Sequence, residues 1–132
     1  MNHFSKKSER NLSSCHPDLQ RLFRVVLEIM DCKVTGGHRS KEIQEQYFDS
    51  DLSKVNWPNS KHNSMPSMGI DVAPCPVDYN DTERFYYFAG IVKGVSEIME
   101  IPVRWGGDWD GDGDLHDQTF IDLVHFELIG RG

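Results

Sequence analysis

The sequence predicts an α+β domain with N-terminal and central helices and a small antiparallel sheet. Apolar residues recur at helical spacing in two long segments, residues 16–31 and 80–101. The strand-like stretches do not alternate regularly with helices, which favours this class over an α/β fold with a parallel sheet. The length of 132 residues suits one hydrophobic core, so we expect residues 1–132 to form a single domain.

Composition and charge exclude several classes of protein. Apolar residues make up 38% and charged residues 27% of the chain, as in a globular domain rather than a disordered one. The net charge of −7 argues against a nucleic-acid partner, and no apolar run reaches the roughly 20 residues of a membrane span. The three cysteines are odd in number and far apart, so we expect free thiols rather than a disulfide framework. We expect a monomer.

The first long helix is predicted in HPDLQRLFRVVLEIMD, residues 16–31. Pro17 suits the first helical position, and the charge of Asp18 interacts favourably with the positive end of the helix dipole. The predicted core face of this helix comprises Leu19, Leu22, Phe23, Val26 and Met30.

A short strand followed by a glycine turn is predicted in CKVTGGHRS, residues 32–40. Ser40 can cap a second helix in KEIQEQYFDS, residues 41–50. Residues 50–66 are polar and contain two prolines, so we expect a long ordered loop there.

The second half of the chain is predicted to hold three strands and the longest helix. MGIDVAP, residues 68–74, has strand character, and PVRWGGDW and LVHFELI are expected to form the last strands around an acidic loop. Residues 80–101 are predicted as a helix whose N-cap lies within residues 80–82. The expected core stripe of that helix comprises Phe85, Phe88, Ala89, Val92, Val95 and Met99.

Two histidines and an aspartate are candidate ligands of a catalytic metal. His62 and Asp71 lie in SKHNSMPSMGIDVAP, and His125 lies in the last predicted strand. Three such ligands, with a fourth position left for water, are typical of catalytic zinc, which lowers the pKa of that water to about 7. Asp122 can then serve as a general base, and Arg39 can stabilise an oxyanion.

Spacing alone leaves other interpretations of these residues open. A histidine on a strand is more often a packed core residue than a ligand, and an arginine beside a turn is usually a surface residue. On the residues alone, His62, His125 and Arg39 indicate a possible metal site and no more.

Three separated segments of the chain match, in the same order, the characteristic segments of a known family. They are GGHRSKEIQEQYF, SKHNSMPSMGIDVAPCP and RWGGDWDGDGDLHDQTFIDLVHFEL, and CHPDLQRLF precedes them. Together they resemble the zinc peptidases of the D-Ala-D-Ala carboxypeptidase family, above all its phage endolysin branch of L-alanyl-D-glutamate endopeptidases. The resemblance covers residues 12–129. It implies the fold of D-Ala-D-Ala metallopeptidases and hedgehog proteins, a zinc cofactor, and hydrolysis of the L-Ala–D-Glu bond of peptidoglycan stem peptides.

The resemblance implies a role for each matching position. The zinc ligands that it implies are His62, Asp71 and His125. Asp122 corresponds to the general base, and Arg39 corresponds to the arginine that steadies the substrate carbonyl. Ser60 belongs to the same pattern, and we expect it to bind substrate or to support the ligand loop.

The chain departs from the commonest family pattern at three places. His62 and Asp71 are nine residues apart instead of seven, as in a variant found in the phage branch. Gly69 stands where alanine is usual, and His38 stands where an aromatic residue such as tyrosine is typical. None of these changes removes a zinc ligand, but they leave the substrate preference open.

The acidic loop DWDGDGDLHDQT is a candidate calcium site. Its aspartates stand at positions 1, 3, 5 and 7 of an EF-hand-like count, and Gly113 stands at position 6. These possible calcium ligands are Asp108, Asp110, Asp112 and Asp114. Thr119 stands where a bidentate glutamate belongs, so a solvated acidic loop is the alternative. The resemblance implies calcium regulation as well, because some endolysins of the phage branch have a similar D-x-D-x-D-G loop through which calcium regulates them.

Several functions remain open at this point. The first is the zinc endopeptidase of phage lysis, and the second is a D,D- or L,D-carboxypeptidase that trims stem peptides. A non-catalytic zinc- or calcium-binding module is the alternative from another class. The N-terminal residues lack the apolar stretch of a signal peptide, so we expect synthesis in the host cytoplasm and action at the cell wall after release.

Overall fold

The computed structural model describes residues 2–114, 116 and 121–130. Within those residues the chain forms four α-helices, one short 3₁₀ helix and four strands. The helices are α1 (Lys6–Ser13), α2 (Pro17–Ile29), α3 (Lys41–Asp49) and α4 (Thr82–Met99), and the 3₁₀ helix is Lys61–Asn63. The strands are β1 (Cys32–Gly36), β2 (Gly69–Pro74), β3 (Val103–Trp105) and β4 (His125–Leu128). The predicted α+β class is confirmed.

The four strands form one sheet in the order β1-β2-β4-β3, and every neighbouring pair is antiparallel. This register places Asp71 opposite His125 on the two central strands. On the other side of β4, Arg104 of β3 lies opposite Glu127. The small antiparallel sheet that the sequence predicts is thus present, and its register determines which polar side chains meet.

The hydrophobic core lies on one face of this sheet, beneath α2 and α4. Side chains alternate along a strand, so Phe126 of β4 points towards the helices while its neighbours point to the opposite face. The ring of Phe126 packs edge-to-face against Phe23 of α2 at 5.4 Å and against Phe88 of α4 at 6.1 Å. Asp71 and His125 therefore lie on the face that the core helices leave open.

Most predicted elements are present with shorter bounds. The helix predicted over residues 80–101 spans Thr82–Met99, and Asp81 caps it by accepting a hydrogen bond from the Arg84 backbone. Ser40 caps α3 as predicted, since its hydroxyl accepts from the Ile43 N–H. Met30 lies just beyond the end of α2, in extended conformation, yet it still packs against the core.

Helix α1 is an element that the sequence analysis did not predict. Its side chains are mostly polar, and Leu12 is its one fully buried apolar residue. It is held by polar contacts instead: the Val34 N–H donates to Ser8 Oγ at 3.1 Å, and Asn11 donates to the Val34 carbonyl at 2.9 Å. Among the described residues, no helix combines the length and apolarity needed to cross a bilayer.

Candidate metal centre

The metal centre combines two side chains from the sheet with one from a capped turn. Asp71 and His125 face each other across β2 and β4. His62 lies in the 3₁₀ helix, which Ser60 caps by accepting from the His62 N–H at 3.2 Å. The Arg39 N–H donates to the His62 carbonyl at 2.7 Å and ties this turn to the segment after β1.

Three atoms form a nearly equilateral triangle. His62 Nε2 lies 3.1 Å from His125 Nδ1 and 3.2 Å from Asp71 Oδ1, and the remaining side, from His125 Nδ1 to Asp71 Oδ1, is 3.3 Å. In a tetrahedral zinc site with bonds of 2.0–2.1 Å, ligand atoms lie about 3.3 Å apart. The spacing and the two-histidine, one-carboxylate donor set therefore fit zinc with a fourth position left open.

Hydrogen bonds on the far side of each ring select the histidine nitrogens that face the triangle. His62 Nδ1 donates to the Gly37 carbonyl at 2.7 Å, so in the neutral ring the lone pair lies on Nε2, the nitrogen that faces the triangle. His125 Nε2 lies 2.8 Å from Glu127 Oε1, while its Nδ1 faces the triangle. Glu127 Oε2 in turn accepts from Arg104 Nη2 at 2.7 Å.

Two glycines permit close packing around the candidate metal centre. A Cβ at Gly37 would overlap the backbone oxygen of Asn11 and the hydroxyl of Ser14. A Cβ at Gly69 would lie 3.2 Å from His125 Cε1 and 3.3 Å from His62 Cδ2. The absence of side chains here lets α1 approach the turn after β1 and lets both histidine rings pack against β2.

Burial and mutual charge shift the pKa values of the central groups. Burial raises the pKa of Asp71, but His62 and His125 more than offset this and hold it well below its usual range. Burial lowers the pKa of His125, but its hydrogen bonds to Asp71 and Glu127 raise the value to about 9. For Glu127, burial raises the pKa, but contacts with His125 and Arg104 bring that pKa below its ordinary value. The site thus favours a charged carboxylate at Asp71, as a metal ligand requires.

Arg39 lies directly against the ligand Asp71. Its Nη2 is 3.4 Å from Asp71 Oδ2, and its Nη1 donates to Gln44 Oε1 at 2.9 Å. The guanidinium also stacks over the ring of Tyr47 at 4.4 Å. Gln44 is fully buried and also donates to the Val55 carbonyl at 2.6 Å, so it anchors both Arg39 and the loop after α3. The sequence analysis did not predict Gln44 or Tyr47 as part of the site.

Asp122 stands just ahead of His125 on the chain. Its carbonyl accepts from the His125 N–H at 3.2 Å, which closes a turn immediately before β4, and its own N–H donates to Gly106 at 2.9 Å. Burial, followed by repulsion from Asp71, raises the pKa of the Asp122 carboxyl. A carboxyl with a raised pKa beside a metal site is suited to accept and return a proton.

The three candidate ligands line one cleft of about 870 Å³. It is bounded by side chains that the sequence analysis did not predict as part of a site, together with the predicted residues Ser60, Arg39 and Asp122. The unpredicted lining residues include Tyr47, Lys54, Tyr79, Arg104 and Trp109. A volume of this size is typical of ligand-binding clefts.

The acidic loop brings three of its four predicted calcium ligands together. Carboxylate oxygens of Asp108, Asp110 and Asp112 lie within 4.8 Å of one another. Asp108 Oδ2 accepts from the Gly113 N–H at 2.9 Å, and Asp112 Oδ1 accepts from the Asp114 N–H at 2.8 Å. Asp117 and Thr119 of the same loop lie outside the described residues. Calcium binding here stays a prediction.

Comparisons with known proteins agree with this geometry. The family model of the phage L-alanyl-D-glutamate peptidase matches residues 1–129. The chain is 31% identical over 134 residues to the L-alanyl-D-glutamate peptidase of Escherichia phage T5, covering 96% of this chain and 97% of that protein. It is also similar to the crystal structure of the Serratia marcescens L-Ala D-Glu endopeptidase ChiX. That similarity has a TM-score of 0.77 and 27% identity, and it covers 97% of this chain and 90% of the other.

Proposed function

Because the chain belongs to the phage L-alanyl-D-glutamate peptidase family, we propose that it is a zinc-dependent endopeptidase. The bond that it hydrolyses is the L-Ala–D-Glu bond of peptidoglycan stem peptides. Peptidase activity follows from the family. The main support for the proposed zinc dependence is the triangle of His62 Nε2, Asp71 Oδ1 and His125 Nδ1.

His62, Asp71 and His125 are the side chains that would hold the ion. Zinc bound by three protein ligands supplies a water whose pKa is lowered to about 7 and polarises the attacked carbonyl. The ligands approach from the sheet and the 3₁₀ turn, and all three line the cleft. A substrate in the cleft would therefore lie beside these three side chains.

Asp122 is proposed to carry the proton. As a carboxylate it accepts a proton from the attacking water, and as a carboxylic acid it returns that proton to the departing amine of D-Glu. Its raised pKa supports both halves of this cycle, because a carboxyl that is too acidic would not retain the proton. Its position in the turn before His125 supports the same role.

Arg39 is proposed to stabilise the oxyanion that forms on the attacked carbonyl. Gln44 and Tyr47 hold its guanidinium in place beside Asp71. A donor fixed before the reaction stabilises developing charge without the cost of reorientation. Ser60 is proposed to support the ligand loop, since its hydroxyl caps the turn that carries His62.

We propose further that the protein is made in the host cytoplasm, acts as a monomer and reaches the wall after release. A calcium role for the acidic loop is part of the same proposal, and its support is the cluster of Asp108, Asp110 and Asp112.

Digestion of purified muropeptides, followed by mass spectrometry, tests the proposed specificity. We expect products with D-Glu as the new N-terminus and no release of terminal D-Ala. The matched controls are His125→Ala, which removes a zinc ligand, and Lys93→Ala, an exposed position on α4. Release of D-Ala without cleavage at L-Ala–D-Glu would replace the endopeptidase by the carboxypeptidase alternative.

A further inference from the structure

Glu127 is a buried acid on β4 that the proposed chemistry does not use. Its side chain is only 6% exposed, and both of its oxygens already have partners. Oε1 lies 2.8 Å from His125 Nε2, and Oε2 lies 2.7 Å from Arg104 Nη2. With both oxygens engaged, Glu127 is not free to take a proton from a water in the cleft.

We propose that Glu127 is a positioning residue that sets the ring of His125, and that Arg104 acts through Glu127 by holding its carboxylate. This inference rests on the proposed zinc site. When Glu127 accepts the Nε2–H of His125, the lone pair is left on Nδ1, the nitrogen that faces His62 and Asp71.

The strand geometry brings the carboxylate of Glu127 into contact with both His125 and Arg104. His125 and Glu127 are two residues apart on β4, so their side chains project to the same face of the sheet. Arg104 lies directly opposite Glu127 on β3 and reaches it across the strand pair. An imidazole ring can rotate by half a turn in its pocket, and the hydrogen bond from Glu127 makes one orientation the favoured one.

The contrast with His62 supports the same interpretation. His62 donates from Nδ1 to a backbone carbonyl, that of Gly37, and presents Nε2. His125 presents the opposite nitrogen, Nδ1. No backbone carbonyl is recorded as a partner of His125 Nε2 in the described part of the chain, so the side chain of Glu127 serves in its place.

Zinc affinity of the purified protein, measured by competition with a chromophoric chelator, tests this role without relying on turnover. We expect Glu127→Leu to bind zinc about 10–100-fold more weakly than the parent. Glu127→Gln should lose less affinity than Glu127→Leu, because its amide oxygen can still accept the His125 N–H although its NH2 group no longer accepts from Arg104. The absorption spectrum of the cobalt-substituted protein should change more for Glu127→Leu than for Glu127→Gln.

Arg104 supplies the second arm of the experiment. Arg104→Met should weaken zinc binding in the parent background but add little in the Glu127→Leu background, since its effect passes through Glu127. Arg21→Met, which removes an exposed ion pair on α2, is the matched control and should leave zinc affinity unchanged. If Glu127→Leu does not fold, as judged by circular dichroism, Arg104→Met and Glu127→Gln decide the question.

The possible failures are distinguishable. A parent protein that binds no zinc would overturn the proposed function and this inference together. A parent that binds zinc and cuts the stem peptide, with unchanged zinc affinity and cobalt spectrum in Glu127→Leu and Arg104→Met, would overturn the inference alone. Additive losses from Arg104→Met and Glu127→Leu would show that Arg104 acts independently of Glu127, and the second half of the inference would be wrong.

Discussion

The carbonyl of Gly37 orients the ring of His62 in the same way as the carboxylate of Glu127 orients the ring of His125. Each accepts a hydrogen bond from one ring nitrogen and leaves the other nitrogen directed at Asp71. The three atoms that would bind the metal therefore already face one another, and the lowered pKa of Asp71 keeps its carboxylate charged. At this scale the site depends on single hydrogen bonds, and single substitutions should separate binding from chemistry.

Replacing Asp122 by alanine should remove turnover while leaving zinc in place. The side chain is outside the triangle, so zinc content should stay at the parent level, and kcat should fall about 10²–10⁴-fold. Elemental analysis and peptide hydrolysis measure the two effects separately. His125→Ala is the comparison, because two remaining ligands hold zinc poorly and both zinc and activity should be lost. Near-parent turnover in zinc-loaded Asp122→Ala would place the general base elsewhere.

Gly37→Ala should destabilise the protein, whereas Gly90→Ala should not. The added methyl at Gly37 would overlap Asn11 and Ser14, and relieving such crowding costs about 1–3 kcal/mol. Gly90 lies inside α4 with open space around it, so alanine there should stabilise by about 0.5–1 kcal/mol. Urea denaturation of both variants, under the same metal conditions, measures the free energies of unfolding. Equal effects of the two substitutions would mean that the close approach at Gly37 is not significant.

At the scale of elements, the site is a meeting of two central strands and one short turn. The antiparallel register of β2 and β4 brings Asp71 and His125 together, although 54 residues separate them along the chain. The 3₁₀ helix adds His62, and its capping box of Ser60 and Asn63 determines where that side chain lies. A turn of three residues has little stability of its own, so its caps matter more than in a long helix.

Ser60→Ala should therefore act on the zinc site through the turn. Loss of the cap costs about 0.5–2 kcal/mol, and part of that cost should appear as weaker zinc binding because His62 is less well held. KM for the stem peptide should change little when zinc is saturating. Ser13→Ala, at an exposed position near the end of α1, is the control. A large rise in KM at saturating zinc would assign Ser60 to substrate binding instead.

At the scale of the whole molecule, the sheet separates the hydrophobic core from the candidate metal centre. One face packs α2 and α4 around Phe126, and the other face carries the metal centre and the cleft. The acidic loop lies between β3 and β4 in the sequence, so we expect a cation bound there to affect the strand that holds His125. Mutual repulsion among its aspartates disfavours the compact loop unless a cation is bound.

Calcium is accordingly expected to raise the activity of the zinc-loaded protein. Binding would order the loop and the start of β4, and the missing glutamate at position 12 predicts weak affinity, about 10⁻⁴–10⁻³ M. Activity titrated with calcium in the parent, and in an Asp110→Ala, Asp112→Ala double variant, measures the effect. The variant should lose the response. If calcium leaves the activity of the parent unchanged, the loop is simply a solvated acidic segment.

Local patterns in the sequence determined much of this protein. The helical spacing of Leu19, Leu22, Phe23 and Val26 predicts α2 and its buried face, because periodicity within one helix needs no knowledge of its neighbours. The cap residue Ser40 and the cap candidates in residues 80–82 predict the starts of α3 and α4 for the same reason. The motif around His62, Asp71 and His125 predicts the candidate ligands, since their residue types restrict the chemistry.

Only the tertiary structure decided which groups support those ligands. Helix α1 has too few apolar residues for a periodic signal, and it is held by contacts with β1, far along the chain. Arg104 and Glu127 are 23 residues apart, and nothing in the spacing between them indicates that they meet. Their contact follows from strand register, which depends on long-range pairing across the sheet, whereas a sequence pattern reports chiefly the interactions between near neighbours.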